Sequence, residues 1–340
     1  MGHRSIGYFL LVYDHQPVLI NMPAILVHTV GKSILFGEHA VVYGQPAIAI
    51  PVTNLRTKVT LTPDLKTQTP SYYYDAPDIG IHGTLDDLPH DHILVEALRI
   101  FKESFSIKSI PSFKLHVSSS IPVAAGLGSS ASISVGIVRA IAQHLGLKLP
   151  VEKVNALAYQ LEKLHHGNPS GIDNTVISYE KPLYYIRNHA PLFLEPREPF
   201  YFLLINSTIH SLTSQVVDEV RRAWEVNPTH FGAIFQDIGD LTDQARQAIT
   251  KGDQVMLGQL ITENHHLLQK MGVSLVQLDE IVALCNDNGA LGAKLCGAGR
   301  GGNVIALVKA DSIPPVLQAL QSAGWTEIYQ TSISKKWSHS

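Results

Sequence analysis

A glycine-rich turn that runs directly into a long helical pattern constrains this chain more than any other feature. The stretch covers residues 122–146 and reads PVAAGLGSSASISVGIVRAIAQHLG. Gly126 and Gly128 allow a tight turn with exposed backbone N–H groups. Hydroxyls follow in the predicted first helical turn, on Ser129, Ser130 and Ser132. Because unpaired N–H groups and the positive end of a helix dipole attract anions, this turn predicts a phosphate site.

The same pattern also fits a core helix with a capped start. Ile133, Ile137 and Ile141 recur at a helical period after the turn, as they would on a buried helix face. A glycine-rich helix start is a modest signal by itself. The rest of the chain is therefore needed to decide between the two interpretations.

Composition and charge limit the kind of ligand. The 340 residues carry a net charge of -3, which gives no general attraction for nucleic acid. No stretch approaches the roughly 20 consecutive apolar residues of a membrane span. Cys285 and Cys296 are the only cysteines, too few for a disulfide framework and compatible with a reducing compartment. We expect a cytoplasmic protein with a small-molecule partner and no nucleic-acid or membrane partner, and a homodimer stays open.

The order of the predicted elements indicates an α+β protein with two lobes. Residues 22–188 are rich in short strands, whereas residues 189–340 contain successive helices and then strands around a helix. The first well-patterned strand follows residue 21, so residues 1–21 are interpreted as an extension. We predict a strand over residues 175–179. For the aromatic run Tyr72–Tyr74 we favour an edge strand over a ligand-facing hairpin.

Two common nucleotide-binding folds do not fit the sequence. Gly31 and Lys32 imitate the end of a Walker A loop, but Leu26 stands where that motif requires its first glycine. Residues 126–131 and 297–302 both match the dinucleotide pattern G-x-G-x-x-G/A. The first lacks an acidic residue about 20 positions further on, and the second leads into a predicted strand instead of a helix. We therefore exclude a P-loop NTPase and a dinucleotide-dependent dehydrogenase.

Three separated segments carry a resemblance to a known family. They are VGKSILFGEHAVVYGQPAIA at residues 30–49, PVAAGLGSSAS at 122–132 and KLCGAGRGG at 294–302. In order and separation they resemble the three motifs of the GHMP kinases, named for galactose, homoserine, mevalonate and phosphomevalonate substrates. The similarity covers roughly residues 23–335. GEHAVVYG, HGNPSGIDN and NHHLLQKMGVSLVQLD together look most like the mevalonate kinases of that family.

The resemblance implies both a fold and a reaction. The fold is the two-lobed GHMP kinase fold, with a ribosomal-protein-S5-like amino-terminal lobe and a ferredoxin-like carboxyl-terminal lobe. The reaction is ATP- and Mg²⁺-dependent phosphorylation of the 5-hydroxyl of (R)-mevalonate, which yields 5-phosphomevalonate and ADP for isoprenoid biosynthesis. Two alternatives remain: a kinase for phosphomevalonate or a sugar, and a catalytically inactive binding protein on the same scaffold.

The resemblance also implies roles for individual residues. Asp173 would orient or deprotonate the substrate hydroxyl, and Lys32 would stabilise charge beside it. The magnesium ligands would be Ser130 and Glu162. The ATP contacts would be Pro122, Ala125, Gly126, Leu127, Gly128, Ser129, Ser130, Ala131 and Ser132. The acceptor side would be formed by Glu38, His39, Thr213, Gly297, Ala298, Gly299 and Arg300.

Each proposed polar group also has a purely structural interpretation. Asp173 suits the cap of a turn, and Lys32 suits a solvated surface lysine. Glu162 suits an exposed acid on a helix, and His39 suits a buried histidine bonded to the backbone. The resemblance favours the functional interpretation for all four.

Arg300 is the departure from the family pattern with the largest consequences. It stands in what is usually a run of four glycines, while Val30 and Cys296 replace a proline and a threonine without removing a proposed catalytic group. If position 300 requires positive φ, an arginine there is strained. Alternatively, its guanidinium binds a phosphate or carboxylate. The two interpretations predict opposite effects of an Arg300→Gly substitution.

Overall fold

The computed structural model describes residues 23–64, 69–123, 125–166 and 169–335. The predicted extension, residues 1–21, lies outside these ranges. The described residues form two β-sheets covered by helices, so the α+β prediction is confirmed. Within the four ranges, no helix combines the length and apolarity needed to cross a membrane.

The first sheet is organised around one long central strand. Its strands are β1 Ile25–Phe36, β2 Ala47–Pro63, β3 Tyr72–Ala76, β4 Ile81–Thr84, β5 Phe113–Ser119, β6 Leu183–Tyr185 and β7 Leu192–Phe193. The order is β4-β3-β5-β2-β6-β7, and β1 pairs antiparallel with β2. The two strands predicted on either side of Gly31 and Lys32 form the single strand β1. Its register shifts between Val30 and Gly31, so Lys32 lies directly after an irregularity in the ladder.

Four helices accompany this sheet: α1 Ile93–Phe105, α2 Ser129–His144, α3 Val151–His166 and α4 Ile172–Tyr179. The predicted start of α2 is thus present, and Val135 and Val138 pack in the same core cluster as Val59 of β2. The strand predicted over residues 175–179 is wrong, because these residues belong to α4. A short apolar run such as this one has no periodicity that separates a strand from a buried helix.

The aromatic run lies inside the first sheet. β3 has β4 on one side and β5 on the other, so the preferred interpretation of Tyr72–Tyr74 as an edge strand is wrong. β3 and β4 form a hairpin instead. Tyr72 and Tyr74 are buried, whereas Tyr73 on the opposite face is partly exposed, as the twofold alternation of a strand requires.

The second sheet is antiparallel and has the order β11-β8-β10-β9. Its strands are β8 Phe200–Asn206, β9 Ala290–Cys296, β10 Asn303–Val308 and β11 Ile328–Ile333. The helices of this half are α5 Thr213–Val226, α6 Pro228–Lys251, α7 Gln254–Lys270, α8 Val276–Asp287 and α9 Ile313–Ser322. All six residues of the inner strand β10 are buried, because sheet neighbours and helices cover them.

One hydrophobic core joins the two halves. It contains Phe36 and Ile50 from the first sheet together with Leu204 and Ile305 from the second. The first sheet ends at β7 and the second begins at β8, slightly beyond the predicted boundary between residues 188 and 189. The division into lobes of residues 22–188 and 189–340 stays a prediction.

Candidate active site

A cleft of about 920 Å³ brings together segments that are far apart in the sequence. The first half of the chain contributes the glycine-rich turn, Lys32 and Asp173, and the second half contributes residues at the start of α5. Of the predicted site residues, the cleft is lined by Lys32, Pro122, Ala125, Gly126, Leu127, Gly128, Ser129, Ser130, Ala131, Glu162, Asp173 and Thr213. Tertiary structure therefore collects most of the predicted residues at one site.

Lys32 and Asp173 form an ion pair in this cleft, with 3.2 Å between Nζ and Oδ1. The Lys32 backbone N–H donates to the Leu127 carbonyl oxygen at 2.9 Å, which joins β1 to the glycine-rich turn. Asp173 lies in the first turn of α4. The lysine side chain is 9% exposed and the aspartate side chain 39% exposed. The carboxylate is therefore the more accessible member of the pair.

The glycine-rich turn ends where α2 begins. Gly128 is the N-terminal cap of α2 and has a left-handed backbone, with φ of 77°. A Cβ at this position would lie 2.8 Å from Lys32 Cγ, so only glycine allows the lysine to pass this close. The first N–H groups of a helix have no acceptor within the helix and can bind an anion. The turn thus places such groups directly beside Lys32.

Ser132 does not face the cleft. Its buried hydroxyl bonds to the hydroxyls of Thr29 at 2.7 Å and Thr57 at 2.9 Å. Its backbone N–H donates to the Gly128 carbonyl oxygen at 2.9 Å. Ser132 therefore fastens α2 to the first sheet, and its predicted place among the ATP contacts has no support in the geometry.

Ser130 and Glu162 meet across the cleft wall. The Ser130 hydroxyl donates to Glu162 Oε1 at 2.9 Å, and the Ser134 hydroxyl donates to the same oxygen at 2.7 Å. Glu162 is buried at the cleft, so its interpretation as an exposed helix acid is wrong. A carboxylate and a hydroxyl are the oxygen ligands that Mg²⁺ prefers, and Mg²⁺ usually keeps several waters. This donor set fits a magnesium ion.

Glu38 and His39, which follow β1 after Gly37, are buried at the contact between the halves. Glu38 forms an ion pair with Lys294, and Asn264 Nδ2 donates to Glu38 Oε2 at 3.2 Å. His39 Nε2 donates to the Ala298 carbonyl oxygen at 2.8 Å, and burial lowers the pKa of His39. Neither residue lines the cleft. The structure thus shows the backbone-bonded histidine that the sequence left as an alternative.

The loop between β9 and β10 contains Gly297, Ala298, Gly299 and Arg300. The Ser211 hydroxyl donates to the Gly299 carbonyl oxygen at 2.8 Å, and Asn303 Nδ2, just after the loop, donates to the Ala125 carbonyl oxygen at 2.6 Å. The first residue of β10, Asn303, therefore braces the glycine-rich turn from the second half of the molecule. Its four predicted acceptor-side residues are outside the lining of the cleft.

Arg300 combines features of both sequence interpretations. Its φ is 53°, the left-handed region that is unfavourable for an arginine. Its guanidinium also has an anionic partner, the carboxylate of Glu219 in α5. In this structure, therefore, the anion that pairs with the Arg300 guanidinium is a side chain of the protein itself.

Family models and relatives agree with this arrangement. The model described as GHMP kinases N terminal domain matches residues 92–181, and the model described as GHMP kinases C terminal matches residues 245–325. A mevalonate kinase of Pyrococcus abyssi is 34% identical, with 92% of this chain and 96% of that protein covered. A mevalonate kinase of Pyrococcus horikoshii is 36% identical, with 83% and 88% covered. The chain belongs to the GHMP kinase family.

Solved structures extend the similarity to the fold. The crystal structure of L. major mevalonate kinase in complex with R-mevalonate has a TM-score of 0.77 and 28% identity, covering 91% of this chain and 96% of that chain. Methanococcus jannaschii mevalonate kinase has a TM-score of 0.78 and 27% identity, covering 91% and 98%. The resemblance inferred from three motifs, and the two-lobed GHMP kinase fold it implied, are confirmed.

The apolar end of the cleft in this GHMP kinase was anticipated only in part, by the less favoured interpretation of Tyr72–Tyr74 as a ligand-facing hairpin. Five side chains from the β3–β4 hairpin and the start of α1 line it: Tyr74, Ile79, Ile81, His92 and Ile93. The Tyr74 and His92 rings pack edge to face, with centroids 4.5 Å apart, and burial raises the pKa of Tyr74 to about 12. The aromatic run was the available signal, because Tyr74 lies on the cleft side of a hairpin.

Proposed function

We propose that this GHMP kinase transfers the γ-phosphoryl group of ATP to the 5-hydroxyl of (R)-mevalonate, giving 5-phosphomevalonate and ADP. The observation that carries the transfer chemistry is the Lys32–Asp173 pair, 3.2 Å apart beside the N-terminus of α2. The choice of acceptor is supported by the curated mevalonate kinases that match most of the chain. The lining of the cleft, apolar at one end and rich in N–H groups at the other, suits a nucleotide.

The roles of the two charged residues follow from their positions. Asp173 has the accessible carboxylate, so it orients the acceptor hydroxyl and takes its proton as the new oxygen–phosphorus bond forms. Lys32 keeps its ammonium beside the same point and stabilises negative charge on the phosphoryl oxygens. The N–H groups at the start of α2 hold the phosphates. Phosphoryl transfer requires mainly this kind of positioning and charge stabilisation.

Ser130 and Glu162 would hold the magnesium ion that accompanies ATP. A magnesium ion held there would supply positive charge that neutralises the phosphates. Glu162→Gln keeps the shape of the side chain and removes its charge. We expect this variant to need about tenfold more magnesium for half-maximal activity, with a smaller change in the KM for mevalonate. An unchanged magnesium titration would remove Glu162 from this role.

A panel of acceptors tests the proposed reaction directly. ADP release would be measured with (R)-mevalonate, (S)-mevalonate, phosphomevalonate, galactose and homoserine, each with ATP and Mg²⁺. We expect the highest kcat/KM with (R)-mevalonate. A higher value with another acceptor would favour the related-kinase alternative, and no ADP release with any of them would favour the inactive binding protein. The cleft retains Lys32, Glu162 and Asp173, which argues against an inactive protein.

We further propose that the enzyme works in the cytosol, as a monomer or as a homodimer. Cys285 and Cys296 are both free and buried, and burial raises the pKa of each thiol, as expected for structural cysteines in a reducing compartment. Light scattering of the purified chain would separate the monomer from the homodimer.

A further inference from the structure

The wall of the cleft formed by the second half is a lightly anchored helix. Thr213, Ser214 and Val217 of α5 line the cleft. Of the 14 residues of α5, only Val216 and Val220 are buried. Trp224 in the last turn also packs against the core, with its ring 5.0 Å from that of Tyr43, and it holds the end of the helix that does not line the cleft. Towards the cleft, Val216 and Val220 are the two apolar anchors, and two small side chains leave the rotation of this part weakly determined, because packing energy scales with buried apolar area.

An ion pair supplies a third anchor. Glu219 of α5 pairs with Arg300 in the loop between β9 and β10. The other ion pairs of α5 are internal, from Arg221 to Asp218 and to Glu225. Among ion pairs within the described part of the chain, the Glu219–Arg300 pair is thus the one that joins α5 to another element.

The loop that bears Arg300 is itself firmly held. The Arg300 backbone N–H donates to the Val273 carbonyl oxygen at 2.7 Å, and the Gly302 N–H donates to the Ile209 carbonyl oxygen at 2.9 Å. Arg300 Nε also donates to the Gly272 carbonyl oxygen at 3.4 Å. A fixed loop, a planar guanidinium and a lightly packed helix form an arrangement in which the loop determines the position of the helix.

We propose, on the basis of the proposed function, that the Arg300–Glu219 pair is a positioning device for acceptor binding. It holds α5 so that Thr213 and Val217 close the acceptor side of the cleft. The glycine-rich turn and the apolar end both belong to the first half of the chain, so the ligand nearest α5 is the acceptor. The pair therefore sets the KM for mevalonate more than the KM for ATP.

Charge removal and charge exchange test this role. Arg300→Gln and Glu219→Gln should each raise the KM for mevalonate about two- to fivefold, the effect of losing a partly exposed ion pair, with smaller changes in the KM for ATP. The exchanged double variant, Arg300→Glu with Glu219→Arg, should recover most of the loss. Arg221→Gln is the matched control, because Arg221 is an exposed arginine of the same helix whose ion pairs both lie inside α5. Its KM values should equal those of the unchanged enzyme.

Ionic strength gives a second readout. The Arg300 side chain is 42% exposed and the Glu219 side chain 33% exposed, so salt screens their attraction. Added KCl should raise the KM of the unchanged enzyme for mevalonate towards that of Arg300→Gln, whose own KM should respond less. A purely structural contact would lower the melting temperature of the variant without this difference in salt response.

Hydrogen exchange of the α5 amides provides a measurement that needs no substrate. Exchange over residues 213–226 should be faster in both single variants and slow again in the exchanged double variant. Unchanged KM and exchange in the single variants, or a double variant that recovers neither, would overturn the positioning role. Failure of the proposed function would appear differently, as an absence of mevalonate turnover in the unchanged enzyme.

Discussion

Within the described ranges of the chain, two lysine–carboxylate pairs have similar chemistry and different surroundings. Lys32 and Asp173 meet in the cleft, where the carboxylate is accessible. Lys294 and Glu38 meet at the contact between the two halves, with side chains only 0% and 1% exposed. The first pair can exchange charge and protons with a ligand, whereas the second can act only on its neighbours.

The difference indicates that exposure, more than residue type, separates the pair proposed to react from the supporting one. Glu38 follows β1 of the first sheet and Lys294 lies on β9 of the second, so their pair joins the halves through the core. A buried ion pair adds little net stability compared with apolar residues, but removing one partner leaves a buried charge without compensation. Mutation of the buried pair should therefore reduce mainly stability, whereas mutation of the cleft pair should reduce mainly activity.

The largest expected effect is on stability and concerns the buried pair. Lys294→Met leaves the Glu38 carboxylate buried without its cation, so the free energy of unfolding should fall by about 3–5 kcal/mol. Lys32→Met is the matched comparison and should cost less stability while abolishing most activity, because Asp173 can be solvated. Urea unfolding measures the stability of both variants, and ADP release measures their activity. A loss at Lys294 no larger than the roughly 1 kcal/mol of a surface pair would contradict the comparison.

The next effect is on turnover and concerns the cleft pair. Asp173→Asn keeps the shape of the side chain but removes its charge and basicity, so kcat should fall at least about 100-fold with ATP affinity nearly kept. Asp75→Asn is a suitable control. Asp75 has the same 39% side-chain exposure and pairs with His116 outside the cleft. Turnover of Asp173→Asn within a few-fold of that of the control would end the catalytic assignment.

The pH dependence of stability should also distinguish the buried region around Lys294, which contains His265. His265 bonds to Asp279 at 3.0 Å, and burial, with a contribution from Lys294, lowers its pKa to about 4. The unfolded chain, in which histidine titrates near 6.5, then binds more protons between these two values. Stability should consequently fall as pH drops from 6.5 towards 4 and level off below 4, with a loss of about 1–2 kcal/mol between pH 7 and pH 5.

Two histidine substitutions check this dependence. His265→Gln should reduce the pH slope of the unfolding free energy, whereas His266→Gln, at an exposed neighbouring position, should leave it in place. His39 and His144 also have pKa values lowered by burial, so part of the slope should persist. Equal slopes in the two variants would show that His265 is not the main source.

The smallest expected effect sharpens the geometry of the cleft pair. Gly128→Ala places a Cβ 2.8 Å from Lys32 Cγ and 3.1 Å from Ile177 Cδ1, so Lys32 must shift away from Asp173. We expect kcat to fall about tenfold, since small displacements of reacting groups reduce rates strongly. Gly146→Ala is the control, because it has a similar φ of 67° and open space around the new Cβ. Both should lose stability through their left-handed backbone, Gly128→Ala the more because of these overlaps. Equal kcat values would contradict the role of Gly128.

Local features were predictable where local chemistry decides them. The start of α2 after Gly128 is one example, since a left-handed glycine followed by serines favours a helix start whatever the tertiary context. The place of Asp173 beside Lys32 was available only through the family resemblance. Periodicity failed for α4, because a five-residue apolar segment fits several environments equally well. For β3 the strand itself was predicted, but its place inside the sheet follows from its pairing with β4 and β5.

The sequence by itself determined the turn, the family and the residues able to carry phosphoryl transfer. Tertiary structure alone decided which charged groups meet: Glu38 with Lys294, separated by 256 positions, and Glu219 with Arg300, separated by 81. It also turned the Ser132 hydroxyl to the sheet and the Ser130 hydroxyl to the cleft. The physical reason is the separation along the chain of the residues that interact. Backbone turns follow from neighbouring residues, whereas burial and ion pairing depend on the segments that the packed core brings together.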